Sequence, residues 1–149
     1  MYVKMIAAFP QTRETINSII NEDGRDVTFY IVESKSGCQD CSLDPITDTS
    51  TDSFCLTCSG EYWIPLFSGW TVTAHVTWGK SESRSWETGG MIDNGDCTVK
   101  FIYSGGYEEI VHSSQWVDVD GRYMNVEKIL LRGVPEVNRI VVSLKEKER

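Results

Sequence analysis

The chain has 149 residues, of which 40% are hydrophobic, and 22 acids against 14 Lys plus Arg give it a formal net charge of −8. That length suits one domain, 1–149; the apolar share excludes a wholly disordered chain, and no apolar run approaches the roughly 20 residues of a membrane helix. The acid excess argues against tight nucleic-acid binding, which draws its affinity from basic side chains on phosphates; it suits a soluble monomer, or a conduit that a polyanion must pass without sticking.

The opening stretch MYVKMIAAFPQ is short and has no A-x-A-like cleavage site, so no export signal is expected. A helix is predicted over Pro10–Asn21, with Thr12 as N-cap and Ile16, Ile19 and Ile20 recurring on one face. Gly24 is the expected stop, in the left-handed conformation that ends helices. Beyond it the signal is β. Val27–Val32 and Tyr62–Phe67 are β-branched and aromatic runs, the second demoted to an edge or bent strand by Pro65. In Thr71–Trp78, Val72, Ala74, Val76 and Trp78 alternate with Thr71, Thr73, His75 and Thr77, which is the period of a half-buried strand. Further strands are expected at Thr98–Tyr103, Gln115–Val119, Asn125–Leu130 and Arg139–Leu144. Turns at Ser104-Gly105-Gly106, Asp120-Gly121 and Gly133-Val134-Pro135 separate them. The fold class is therefore mainly β: a small antiparallel β-barrel or sandwich with one short N-terminal helix. Two stretches break the pattern. Residues 34–60 read as an insertion, and 79–95 as a long polar loop with Trp86 in its middle.

The insertion holds Cys38-Gln-Asp-Cys41 and Cys55-Leu-Thr-Cys58, with residues 42–54 between the pairs. Each C-x-x-C sets two sulfurs on one tight turn. Two such turns face to face supply the corners of a tetrahedron, which suits structural Zn²⁺. Ser59-Gly60 meets the small-residue need of a knuckle, and the intervening SLDPITDTSTDSF has no core of its own, so metal binding would also fold it. Disulfides would need an oxidising compartment, and a redox pair would need a βαβ context that is missing; ligand type alone does not separate zinc from iron. Four thiolates close the coordination shell, so the centre is expected to be structural rather than catalytic. Cys97 lacks a partner motif and reads as a small buried hydrophobe. His75 and His112 have neither zincin spacing nor a nucleophile motif nearby and read as surface or partner-contact residues. No enzyme activity is expected.

Five tryptophans are many for this length. Trp78 reads as core. Trp63 and Trp70 follow the knuckle and are expected to pack it onto the barrel, and Trp63 is a candidate partner contact. Trp86, in a polar loop, is either an interface anchor or a lid folded over the barrel mouth.

The opening helix, the strand Val27–Val32, the segment Trp116–Ile129 (WVDVDGRYMNVEKI), the closing Arg132–Leu144 (RGVPEVNRIVVSL) and the knuckle Cys38–Gly60 together carry a resemblance. The chain resembles the head-closure (stopper, or head–tail connector) proteins of tailed bacteriophages. These are small β-barrels with a short helix and long loops. The resemblance implies a structural virion protein of the phage neck, assembled in the host cytoplasm as a homo-oligomeric ring. Such a ring joins the portal or adaptor to a tail terminator or tail tube protein and helps retain packaged double-stranded DNA, with no membrane involved. The alternative from the residues themselves is a zinc-ribbon β-barrel that binds single-stranded nucleic acid or a protein partner. That reading finds aromatic residues in plenty but no basic groove.

Overall fold

The computed structural model describes residues 9–79, 86–87, 90–91, 95–133 and 136–146. Helix α1 spans Phe9–Asp23, and strand β1 follows over Arg25–Gly37. The short strands β2 (Leu43–Asp44) and β3 (Thr49–Ser50) pair in the cysteine segment, and the long β4 runs Trp63–Trp78. Two-residue strands β5 (Trp86–Glu87) and β6 (Gly90–Met91) pair next, then β7 (Cys97–Ile102), helix α2 (Tyr107–Ser113), β8 (Ser114–Val119), β9 (Arg122–Arg132) and β10 (Arg139–Glu146).

Six strands close into an antiparallel barrel in the order β1-β4-β7-β10-β9-β8, with β8 returning to β1. Of the two architectures open from strand spacing, barrel and sandwich, the chain adopts the barrel. Closure leaves no free edge within the cylinder. Alternation on each strand fills it: Val27 and Phe29 on β1, Ala74 and Val76 on β4, Cys97, Val99 and Phe101 on β7, Val117 and Val119 on β8, Met124 on β9, and Ile140, Val142 and Leu144 on β10 all point inward. Full burial of each large aliphatic or aromatic side chain among them contributes about 1.5–3 kcal/mol.

Several elements differ from the sequence reading. The runs expected as two strands, Tyr62–Phe67 and Thr71–Trp78, are one continuous strand. Ser68-Gly69, between those runs, lies in the ladder opposite Ile31 and Tyr30. A Cβ on Gly69 would come within 3.0 Å of the Thr28 side chain, so the glycine answers crowding across the strands rather than a turn. Gly24 ends α1 but is not among the left-handed residues. Its role is close approach: a Cβ there would meet the Ile20 carbonyl oxygen at 2.1 Å and Thr73 Cγ2 at 2.6 Å. Only Ile20 of the predicted apolar face is fully buried, with Ile16 partly covered and Ile19 left exposed.

A second helix, α2, joins the one expected. It starts after Gly106, which is left-handed (φ 86°), and sends Val111 into the core. Tyr107 packs edge-on against Trp70 at 4.7 Å, and Trp70 in turn contacts Phe29 and Phe101, so α2 adds to the aromatic layer of the barrel interior. The Asp120-Gly121 turn takes two consecutive left-handed residues (φ 52° and 79°) between paired Val119 and Arg122, as a two-residue hairpin requires. No helix among the described residues is long and apolar enough to cross a membrane.

Candidate metal centre

The two C-x-x-C turns are carried by a projection of the barrel. β1 pairs with β8 only as far as Ile31, and β4 pairs with β7 only from His75 onward. Beyond those limits, Ser34–Gly37 pairs with Trp63–Leu66 alone, forming a two-stranded arm. Pro65 lies in this arm, opposite Lys35, where its missing N–H faces an open side. At the arm's root the Trp116 ring stacks on Tyr30 (5.1 Å) and meets Phe67 edge-on (4.5 Å), clamping β8 to both strands. The chain leaves the ladder after Gly37 and re-enters at Trp63, so the first residues of the expected insertion, Ser34–Gly37, are strand.

The knuckle occupies the end of the arm. Cys38 opens it, with its amide donating to the Tyr62 carbonyl (2.9 Å). The β2–β3 hairpin folds the middle of the segment back, helped by Asp44, whose carboxylate accepts from the Ile46 amide (2.9 Å). The second cysteine pair is shaped by the Ser59 amide donating to the Cys55 carbonyl (2.8 Å) and by consecutive left-handed residues, Ser59 and Gly60 (φ 55° and 87°). A Cβ on Gly60 would meet the Ser53 carbonyl oxygen at 3.0 Å.

These local folds bring the four sulfurs together. Sγ of Cys38 and Cys55 lie 3.8 Å apart, those of Cys41 and Cys58 3.5 Å apart, and all four within 4.8 Å of one another. Such separations are far beyond a disulfide's roughly 2.05 Å, and all four cysteines are free. The set can hold one metal ion. Cys38, Cys55 and Cys58 are buried and Cys41 partly so, with Tyr62 and Ile64 packed against them.

The electrostatics divide the four thiols. Burial works against ionisation of Cys58, but hydrogen bonds from the Tyr62 amide, from Cys41 and Cys55, and from the Gly60 amide outweigh it and hold this thiol down to about 6. At Cys41 the Ser50 hydroxyl favours the thiolate, but burial and the three neighbouring sulfurs push it up to about 12. At Cys38 the Asp40 amide favours the thiolate, and burial with Cys55 and Cys58 still leaves the thiol raised. The Cys58 thiolate thus sits beside two thiols, Cys38 and Cys41, that resist a second negative charge, which is the situation a cation relieves.

Two supporting residues gave no signal in the sequence. Ser50, the one buried polar residue among those described, also accepts from the Asp52 amide (3.0 Å). Thr57 donates to Asp40, tying the two C-x-x-C turns together. Both lie in a run of Ser, Thr and Asp where any position looks like the next.

The tryptophans settle differently from expectation. Trp63 stays at the knuckle: its indole Nε1 donates to Asp48 (3.2 Å) and its ring meets Tyr62 edge-on. Trp70 does not pack the knuckle; it belongs to the barrel interior. Trp78 packs against the core and donates from Nε1 to Asp120 (3.1 Å), with Arg122 over its ring. Trp86 pairs through its backbone with Met91, and its side chain lies outside the described residues. Cys97 is buried in the barrel, where burial first, then Asp120 and Asp96, push its thiol up to about 12. His112 faces Glu108 at 3.7 Å on the exposed side of α2. Comparison with family models, with curated proteins and with solved structures finds no match to this chain.

Proposed function

We propose that this chain is a structural subunit of a tailed-phage neck, assembling as a ring between portal or adaptor and tail, with Zn²⁺ as its structural ion. The observation that carries the reading is the placement of the cysteine centre. It stiffens the end of an arm that leaves a closed barrel, with large apolar side chains exposed around it. A metal-stiffened projection needs little ordering when it meets a partner, so more of the contact energy appears as affinity.

The ligand set and its size suit zinc, and the same four sulfurs would also take iron. A tetrahedron with Zn–S bonds of about 2.3 Å has sulfur–sulfur edges of about 3.8 Å, against 3.5 Å and 3.8 Å for two of the pairs here and no more than 4.8 Å for any other. Cys38, Cys41, Cys55 and Cys58 would hold the ion, whose contribution is to lock the two turns into one lobe. Four protein thiolates fill a tetrahedral shell, leaving no position for water or substrate, which supports a structural role. The resemblance in the opening helix, first strand and closing segments supports the neck assignment, and the acid excess suits a ring that DNA must traverse.

Binding of single-stranded nucleic acid is the weaker reading. It calls for exposed aromatic rings beside basic side chains. Here the exposed Phe54 shares its lobe with Asp40, Asp44, Asp48, Asp52 and Glu61, and segment 38–62 has neither Lys nor Arg.

Native mass spectrometry tests the proposal in one measurement. The expected result is one zinc per chain together with discrete oligomers, or capture by a portal or adaptor ring. Metal-free monomers with bridged cysteines, indifferent to portal, adaptor and tail proteins, would overturn it.

A further inference from the structure

Two patches of opposite character stand on the described surface. The first is the knuckle tip, where Ile46, Phe54 and Leu56 are 92%, 91% and 100% exposed. Single exposed apolar residues are ordinary, but three large ones on so small a lobe mark a contact surface. The acids of the lobe surround them, and four thiolates on a divalent ion add further negative charge.

The second patch is a cavity of about 400 Å³ on the outer wall of the barrel, beside α1. Ile16, Ile19 and Val141 supply apolar lining, Lys100, Arg132 and Arg139 supply cations, and His75 lies beside them. The ladder explains why these cations converge. His75 pairs with Lys100, Lys100 with Val141, and Arg139 with Arg132, which sets all four on the outward face of neighbouring strands. Among the described residues, none of these side chains takes part in an ion pair. An apolar floor ringed by cations with no ion-pair partner among the described residues, in a chain of charge −8, fits an occupant that is apolar at its centre and acidic at its rim. The knuckle tip has that chemistry.

We infer that the knuckle tip of one copy seats in the α1 pocket of the next. Within one copy the two cannot meet. Trp63 at the knuckle and His75 at the pocket both lie on β4, about 40 Å apart along the strand at about 3.3 Å per residue. The contact is therefore heterologous: each copy offers one tip and one pocket, so association continues until the rotation closes a circle. This rests on the ring reading above and names the surfaces that build the ring.

Sedimentation velocity on the zinc-loaded full chain tests it with two variants, Phe54→Ser/Leu56→Ser at the tip and Arg132→Glu/Arg139→Glu at the pocket. Circular dichroism and zinc content check that both remain folded and metallated, and Arg132→Ala/Arg139→Ala serves as the milder pocket change. The wild type is expected to associate, less so between about 0.1 M and 1 M salt as the charges are screened. Each variant alone should associate at least tenfold more weakly. Mixed together, they should form a heterodimer that grows no further, because one intact tip meets one intact pocket. Wild-type rings that both variants also form would place the interface elsewhere and leave the ring reading standing. A wild type that stays monomeric, with no heterodimer in the mixture, would overturn both. A single-stranded oligonucleotide that binds the wild type but not the pocket variant, with association unchanged by the tip variant, would make the pocket a phosphate site and overturn the inference.

Discussion

At Cys58 the chemistry of the knuckle turns on single hydrogen bonds. Its thiol is held down to about 6 by amides that the tight turn aims at the sulfur, while Cys41 is pushed up to about 12. Metal binding must displace the protons that remain, so affinity falls as pH falls. Between pH 7 and 8 Cys58 is already ionised and adds little to that slope. Below about pH 6 it must lose a proton as well, and the slope of log affinity against pH steepens by about one; a zinc competition titration at several pH values checks this. Replacing a ligand, as in Cys41→Ser, is expected to weaken zinc binding by more than the 10–100-fold typical of supporting residues, and Ser50→Ala by about that 10–100-fold. Cys97 carries a separate pH signature. Its folded value is raised from the ordinary 9.0 to about 12, so the stability it lends is fully present below pH 9 and is lost as pH rises toward 12. Cys97→Ala, at a cost of about 1 kcal/mol near neutrality, should flatten that alkaline decline in urea titrations.

Among the elements, the arm is the one whose position matters most. Trp116, Tyr30 and Phe67 clamp its root through two ring contacts. Aromatic pairs of this kind contribute about 0.5–1.5 kcal/mol each beyond buried area, so Trp116→Ala should cost about 2 kcal/mol in urea unfolding. It should also loosen the arm, raising amide exchange in Ser34–Gly37 while zinc remains bound. Gly60→Ala acts at the other end: with φ at 87° and Ser53 close by, it should cost the knuckle about 1 kcal/mol and weaken zinc binding without shifting the barrel's unfolding. Legibility varied among the elements. The Thr71–Trp78 strand shows in its strict alternation, and the Asp120-Gly121 hairpin in a dipeptide suited to two left-handed residues. Helix α2 does not show, because seven residues are too few for a helical period to emerge, and its burial depends on Trp70 and Phe101 far away in the chain. Gly24 reads as a left-handed stop, whereas it is needed because a Cβ there would meet the Ile20 carbonyl oxygen of its own helix and the Thr73 side chain of β4.

For the molecule as a whole, the barrel core and the cysteine cluster share no residue. Chelation of the ion is therefore expected to unfold residues 38–62 and leave the barrel standing. A zinc-free sample should lose amide protection in the knuckle, keep the barrel's unfolding midpoint within a few degrees, and fail to associate.

By itself the sequence determined the four candidate metal-ligating cysteines, the β character and the inward and outward faces of strands such as Thr71–Trp78. Each of these rests on neighbours a few residues apart: two cysteines per turn, and alternation by twos. Only the tertiary structure decided that the strands close into a cylinder, that two runs fuse into β4, and that the knuckle rides on an arm. It also gathered His75, Lys100, Arg132 and Arg139 into one pocket. Those outcomes depend on which strand lies beside which, and in an antiparallel barrel that pairing joins residues distant along the chain, so no local pattern records it.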